Sequence, residues 1–133
     1  MFKPETNILI VDDMMTMRKL VKKSCKSIGF SNFTEAADGQ EAWERLQVAS
    51  PAIELIISDW NMPNLSGLEF LKKVRADEKF AHLPFVLLTA EAEVHQVKEA
   101  VEAGVSNYIV KPFTGESLKQ KLQQTHAKVS KAA

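Results

Sequence analysis

Ile8-Leu9-Ile10-Val11-Asp12-Asp13 runs four apolar residues, three of them β-branched, straight into two carboxylates. A short apolar run without polar alternation reads as a strand buried on both faces. Met17, Leu20, Val21, Cys25 and Ile28 then recur at helical spacing, and Gly29 supplies a C-terminal stop. The same alternation continues down the chain. Phe33-Thr34-Glu35-Ala36 is a weaker strand, and Ala42, Trp43 and Leu46 mark a helix face before Ser50-Pro51. Leu55-Ile56-Ile57-Ser58 is a second buried strand, followed by a helix carrying Leu68, Leu71 and Val74. Pro84 breaks the chain before Phe85-Val86-Leu87-Leu88. Val94, Val97 and Val101 share the next helical face, which ends at Gly104. Asn107-Tyr108-Ile109-Val110 is the last strand, and Leu118, Leu122, Thr125 and Val129 point inward from the last helix. Strand–helix units thus begin near residues 8, 33, 54, 85 and 107. Strict alternation implies an α/β fold, a doubly wound parallel sheet of five strands with helices on both faces. Right-handed crossovers narrow the topology further.

The composition agrees with one such domain spanning residues 1–133, with no linker or low-complexity break and a loose tail after Val129. An apolar share of 45% is enough for a core and excludes general disorder. The longest apolar run is Ile8–Val11, with similar runs at Leu55–Ile57 and Phe85–Leu88, so no stretch approaches the roughly 20 residues of a membrane span. No secretory signal is recognisable either. Basic and acidic residues balance at 17 each, which leaves no electrostatic case for nucleic acid or an anionic membrane. The single cysteine, Cys25, cannot close an internal disulfide, and a reducing cytoplasm is the expected home.

In an open parallel sheet, ligands bind beyond the carboxyl ends of the strands. Asp12 and Asp13 follow the first strand, Asp59 the third, Thr89 the fourth and Lys111 the fifth, with Pro112 after it. Singly, each has a plain reading: an aspartate or threonine as a cap or turn residue, a lysine in solvent. Jointly they do not. Two carboxylates 4 Å apart repel by about 4 kcal/mol at an effective dielectric of 20, so three together call for a cation. Oxygen-only ligands favour magnesium or calcium over zinc, and no twelve-residue calcium loop is present. A carboxylate beside magnesium can attack phosphorus, with the metal and an ammonium neutralising the transferring group. Gly39, Gly67 and Gly104 are isolated, so nucleotide or flavin binding has little support.

Asp12-Asp13, Ser58-Asp59-Trp60-Asn61-Met62-Pro63, Gly67, Thr89-Ala90-Glu91-Ala92 and Lys111-Pro112-Phe113 together resemble bacterial response-regulator receiver domains over essentially the whole chain. Thr16-Met17-Arg18 and Lys111-Pro112-Phe113-Thr114 are similar to the single-domain chemotaxis regulators within that family. The resemblance implies a flavodoxin-like fold with strand order 2-1-3-4-5 and no output domain. It makes Asp59 the phosphoacceptor, and Asp12 and Asp13 the acidic pair. Asp13, Asp59 and the backbone carbonyl of Asn61 become direct ligands of Mg2+. Thr89 is then the switch hydroxyl, Tyr108 the switch aromatic, and Lys111 the phosphate contact, with a cis bond to Pro112. Asn61 and Glu91 match positions that tune dephosphorylation.

The implied protein is a cytoplasmic monomer that catalyses only its own phosphorylation and dephosphorylation. A histidine kinase supplies the phosphoryl group, a flagellar motor switch protein receives the signal, and a phosphatase is a further partner. The partner surface is the fourth helix, fifth strand and fifth helix, through Glu93, Val94, Val97, Val101, Tyr108 and Lys121. Here the chain departs from the chemotaxis pattern, which has basic residues at Glu93 and Val94. A receiver acting as phosphate sink or relay shuttle is the alternative. An aspartyl-phosphate phosphatase of the haloacid dehalogenase type is disfavoured, because it needs Asp-x-Asp after the first strand and these aspartates are adjacent. Trp43 reads as core, Cys25 as a helix-face filler, and His82, His95 and His126 are too scattered for metal ligation.

Overall fold

The computed structural model describes residues 1–90 and 94–132. Its order is β1 (Asn7–Val11), α1 (Met15–Ile28), β2 (Asn32–Ala36), α2 (Gly39–Val48), β3 (Leu55–Asp59), α3 (Gly67–Ala76), β4 (Phe85–Thr89), α4 (Val94–Glu102), β5 (Asn107–Val110) and α5 (Gly115–Ala132). The strands form one parallel sheet in the order β2-β1-β3-β4-β5. The fold is therefore the flavodoxin-like α/β fold that the residue pattern and the resemblance imply. Chain direction across the sheet reverses between β1 and β3, so a crevice opens beyond their carboxyl ends.

Alternate strand residues feed two cores. Leu9, Val11, Ile56, Phe85 and Leu87 face α2, α3 and α4, meeting Ala42, Leu46, Phe70, Leu71, Val74 and Ala100. Ile8, Ile10, Leu55, Ile57, Val86, Leu88 and Ile109 face α1 and α5, meeting Val21, Cys25, Leu118 and Leu122. Strands buried on both faces need continuous apolar runs, which is why β1, β3 and β4 were readable. The edge position of β2 explains its weaker pattern.

The structure corrects several side-chain expectations. Leu20 is 46% exposed and does not belong to the core stripe of α1. Phe70, not part of the expected stripe of α3, is wholly buried. On α4 the residue facing the sheet is Ala100, while Val101 is 62% exposed. The helical periodicity of α5 continues through the expected loose tail to Ala132. Trp43 is only half-buried, edge-on to Phe80. Among the described residues, no helix is long and apolar enough to cross a membrane.

Two loops hold the ends of the site-bearing strands. In the β3–α3 loop, Asn64 takes a left-handed conformation and donates to Asp38 Oδ2 at 2.8 Å, while Leu65 O accepts from Gly39 N. Asp38 also caps α2 by accepting from Glu41 N at 2.8 Å. Gly67 starts α3 against the end of β3: its N–H donates to Trp60 O, and a Cβ here would run into the carbonyl oxygen of Asp59. Ser66 and Glu69 form the capping box that completes this turn.

At the far end, Arg75 ties the α3–β4 and α4–β5 connections together. It donates to the carbonyls of Gly104 (2.8 Å), Ala81 (3.0 Å) and Leu83 (2.7 Å), and to Ser106 Oγ. Burial pulls its guanidinium below the usual arginine range. Arg75→Met keeps the stem but strands these carbonyls, so a loss of about 2–4 kcal/mol is expected in urea unfolding. A change under about 0.5 kcal/mol, the usual size for a solvated surface residue, would show the clamp to be ornamental.

Candidate functional site

The carboxyl edge of the sheet gathers the charged residues. Asp12 follows β1, Asp59 ends β3, Thr89 ends β4 and Lys111 follows β5. One carboxylate oxygen from each of Asp12, Asp13 and Asp59 lies within 4.8 Å of the others. Lys111 Nζ donates to Asp59 Oδ1 at 2.9 Å and stands 3.5 Å from Asp12 Oδ2. Three carboxylates thus face one ammonium, a surplus of two negative charges.

Nearby donors fix Asp12. Asp12 Oδ1 accepts from Met14 N at 2.9 Å, and the Asp12 carbonyl accepts from Arg18 Nη1. Arg18 is itself held by Glu35 of β2 at 3.4 Å. Asp12 is 1% exposed. Burial pushes its carboxyl above the usual range, opposed by the Met14 hydrogen bond; Asp59 adds to the rise, Lys111 resists it, and Asp13 adds further. Among the described residues, Asp12 Oδ2 has no hydrogen-bond partner. The Lys111 contact at 3.5 Å is an ion pair without hydrogen-bond geometry. A buried oxygen short of a donor, two more carboxylates beside it and two excess charges fit a hard divalent cation with oxygen ligands. Asp13 is exposed, so that position opens toward solvent.

The remaining expected residues are distributed unequally. Thr89, 4% exposed, sits one step past Leu88, the β4 partner of Asp59. Its carbonyl accepts from Lys111 N at 2.7 Å, and its hydroxyl donates to Gln96 Oε1 at 3.2 Å. Asn61 lies exposed two residues beyond Asp59. The Lys111–Pro112 bond is cis, as is Ser50–Pro51. Tyr108 is not in the carboxylate cluster. It packs, half-buried, against the core on the α4 side, with Lys121 Nζ 4.8 Å from its ring centroid. Asn107 Nδ2 donates to Lys121 O, which fixes this corner. Val97 is half-buried and Val101 exposed on α4. Glu91, Glu93 and the side chain of Val94 lie outside the described residues.

Sequence reasoning named Arg18 only within the Thr16-Met17-Arg18 stretch, and missed its hold on Asp12, Gln96 and the Asp38–Asn64 bond. The last had a signal, since Asp38-Gly39 is a helix-start pair and asparagine is the residue that tolerates left-handed backbone.

The comparisons with known proteins meet this geometry. The model of the response regulator receiver domain matches residues 8–123. Chemotaxis protein CheY of Pseudomonas aeruginosa is 45% identical over 123 residues, covering 92% of this chain and 98% of that protein. Chemotaxis protein CheY-3 of Vibrio cholerae is 48% identical over 117 residues, 88% of each. Among solved structures, chemotaxis response regulator CheY4 of Vibrio cholerae superposes with a TM-score of 0.82 at 35% identity, over 91% of this chain and 98% of that one. The receiver domain of a Pseudomonas aeruginosa sensor histidine kinase, with a magnesium ion coordinated in its active-site cleft, has a TM-score of 0.81 at 27% identity, over 92% and 98%. On sequence, sheet order and acidic cleft alike, this chain belongs to the response regulator receiver domain family.

Proposed function

We propose that the chain is a chemotaxis switch driven by phosphorylation at Asp59. The observation that carries this reading is the Asp59 carboxylate, at the strand-order reversal, held 2.9 Å from the Lys111 ammonium and flanked by two further carboxylates. A carboxylate oxygen of Asp59 attacks the phosphorus of a phosphohistidine on a kinase. The P–N bond breaks, and the imidazole leaves with its electron pair and takes up a proton. The nearby ammonium of Lys111 pairs with the phosphoryl oxygens as the acyl phosphate forms. Asp13, Asp59 and the Asn61 carbonyl would hold Mg2+, with Asp12 behind them. When bound, the ion neutralises phosphoryl charge. Asn61 and Glu91 set how readily water reaches the acyl phosphate. The chain acts only on its own phosphoryl group, in the reducing cytoplasm that suits the free Cys25 thiol.

The ion should also stabilise the fold. At a magnesium concentration of 100 Kd, about 2.7 kcal/mol is expected as a rise in thermal midpoint. Asp13→Asn should lose most of that rise, yet be no less stable than wild type without metal, because one like charge is gone. An equal magnesium-induced rise in both proteins would remove Asp13 from the ligand set.

Phosphorylation is read out as a population shift. Thr89 gives a hydrogen bond to the phosphoryl group, the following loop draws in, and Tyr108 repacks. Moving the ratio of states from 1:99 to 99:1 takes about 5.5 kcal/mol of differential binding. The surface around Val97, Val101, Tyr108 and Lys121 then meets an acidic segment of a flagellar motor switch protein. Titrating such a peptide with and without beryllium fluoride plus magnesium tests the reading. Phosphoryl-mimic-dependent binding is expected, strengthened in Glu93→Lys at low salt, where rim charge acts on association. No dependence on the mimic in either protein favours the phosphate sink or relay shuttle.

A further inference from the structure

Gln96 lies in the first turn of α4, and its side-chain oxygen accepts the hydroxyl proton of Thr89 at 3.2 Å. A threonine hydroxyl has one proton to donate. The proposed switch sends that proton to a phosphoryl oxygen on Asp59. The two hydrogen bonds therefore exclude one another. We infer that Gln96 is the off-state latch of this protein: an amide acceptor on α4 that competes with the phosphoryl group for the Thr89 hydroxyl. The inference rests on Thr89 being the phosphoryl donor.

Among the described residues, the two ends of α4 are held by different contacts. Ala100 is buried against the sheet side chains, and the carbonyl of Gly104, just past the helix, accepts from Arg75 Nε at 2.8 Å. Val105 N returns to the Ala100 carbonyl, and Gly104 N to that of Val101. None of these contacts involves the acidic cleft. The Thr89–Gln96 bond does, because Thr89 shares its carbonyl with Lys111 N. Capture of the Thr89 proton thus removes this tie on the first turn of α4 and leaves its last turn tied. The helix pivots about its Ala100–Gly104 end, and Val97 moves further than Val101. Once released, the Gln96 amide needs only solvent, which its half-exposed position provides.

Linkage gives the size of the effect. Breaking the latch is part of the work of binding a phosphoryl group, so deleting it should tighten phosphoryl binding by the worth of one hydrogen bond, about threefold to tenfold. Beryllium fluoride plus magnesium is the probe, followed by tryptophan fluorescence, with Trp60 next to Asp59 as reporter. Gln96→Met keeps the length and helix propensity of the side chain and removes the acceptor. Gln96→Ala removes the side chain altogether. Both should bind the mimic about threefold to tenfold more tightly than wild type. In a Thr89→Ala background, the same substitutions should change nothing, since the donor is gone. Wild-type affinity in Gln96→Met and Gln96→Ala, or a tightening that persists without the Thr89 hydroxyl, overturns the latch and leaves the phosphorylation reading standing. Failure of the wild type itself to bind the mimic overturns the phosphorylation reading and the latch with it.

Discussion

Asp59→Asn is expected to accept no phosphoryl group from a small phosphodonor, where the wild type takes up one. The substitution exchanges one oxygen for an amide nitrogen and preserves the shape of the side chain. It removes the only property the transfer needs, an anionic oxygen able to form an acyl phosphate. The Lys111 ammonium, 2.9 Å away, can still bond the remaining carbonyl oxygen, so the cleft should keep its form. The charge surplus falls from two to one, and magnesium should bind more weakly as well. Asp12→Asn and Asp13→Asn separate these effects. Each lowers the charge by the same amount yet spares the nucleophile, so each should slow uptake without abolishing it. Intact-mass measurement after incubation with acetyl phosphate and magnesium reads all three. Uptake by Asp59→Asn at the wild-type level would move the acceptor elsewhere in the trio.

Phe70→Ala should cause the largest loss of stability, about 3–5 kcal/mol. Its ring is fully buried on α3, with its centroid 5.5 Å from that of Phe85 at the start of β4, the planes inclined by 59°. Leu71 and Val74 flank it in the same cluster, so truncation leaves a hole walled by rigid strand and helix. For a chain of this size the thermal midpoint should fall by roughly 10 °C or more, measured by far-UV circular dichroism. Phosphoryl uptake at low temperature should survive, because the site residues hang from strand ends and not from this face of α3. Stability within 1 kcal/mol of wild type would mean that the core collapses onto the gap.

The ease of reading this chain followed the physics of each element. Strands covered on both sides must be continuously apolar, so Ile8–Val11, Leu55–Ile57 and Phe85–Leu88 announced themselves, and the acidic and basic residues at their ends followed. Helices are harder to orient, because a stripe shifted by one residue still looks amphipathic. Leu68, Leu71 and Val74 already made a plausible face, and Phe70 was left outside it. On α4 the valines carry the apolar pattern, while the sheet accepts the small Ala100. Contacts between polar residues on different elements left no trace in spacing. Arg75 reaches carbonyls on two loops, and Gln96 meets Thr89 only because α4 lies where it does. The carboxylate trio was legible since the strand-order rule brings strand ends together whatever the loops do.

Cys25 gives the molecule a built-in clock. It is the chain's single cysteine, wholly buried on α1 among Ile8, Ile10 and the leucines of α5, and burial pushes its thiol up to about 12. A thiol that is both covered and protonated is invisible to alkylating reagents at neutral pH. It becomes visible when α1 lifts from the sheet. The alkylation rate therefore counts openings of this side of the fold, with no label to attach and no second thiol to mask. Anything that grips the closed form, a cation in the cleft or a phosphoryl mimic on Asp59, slows that count by the factor with which it binds.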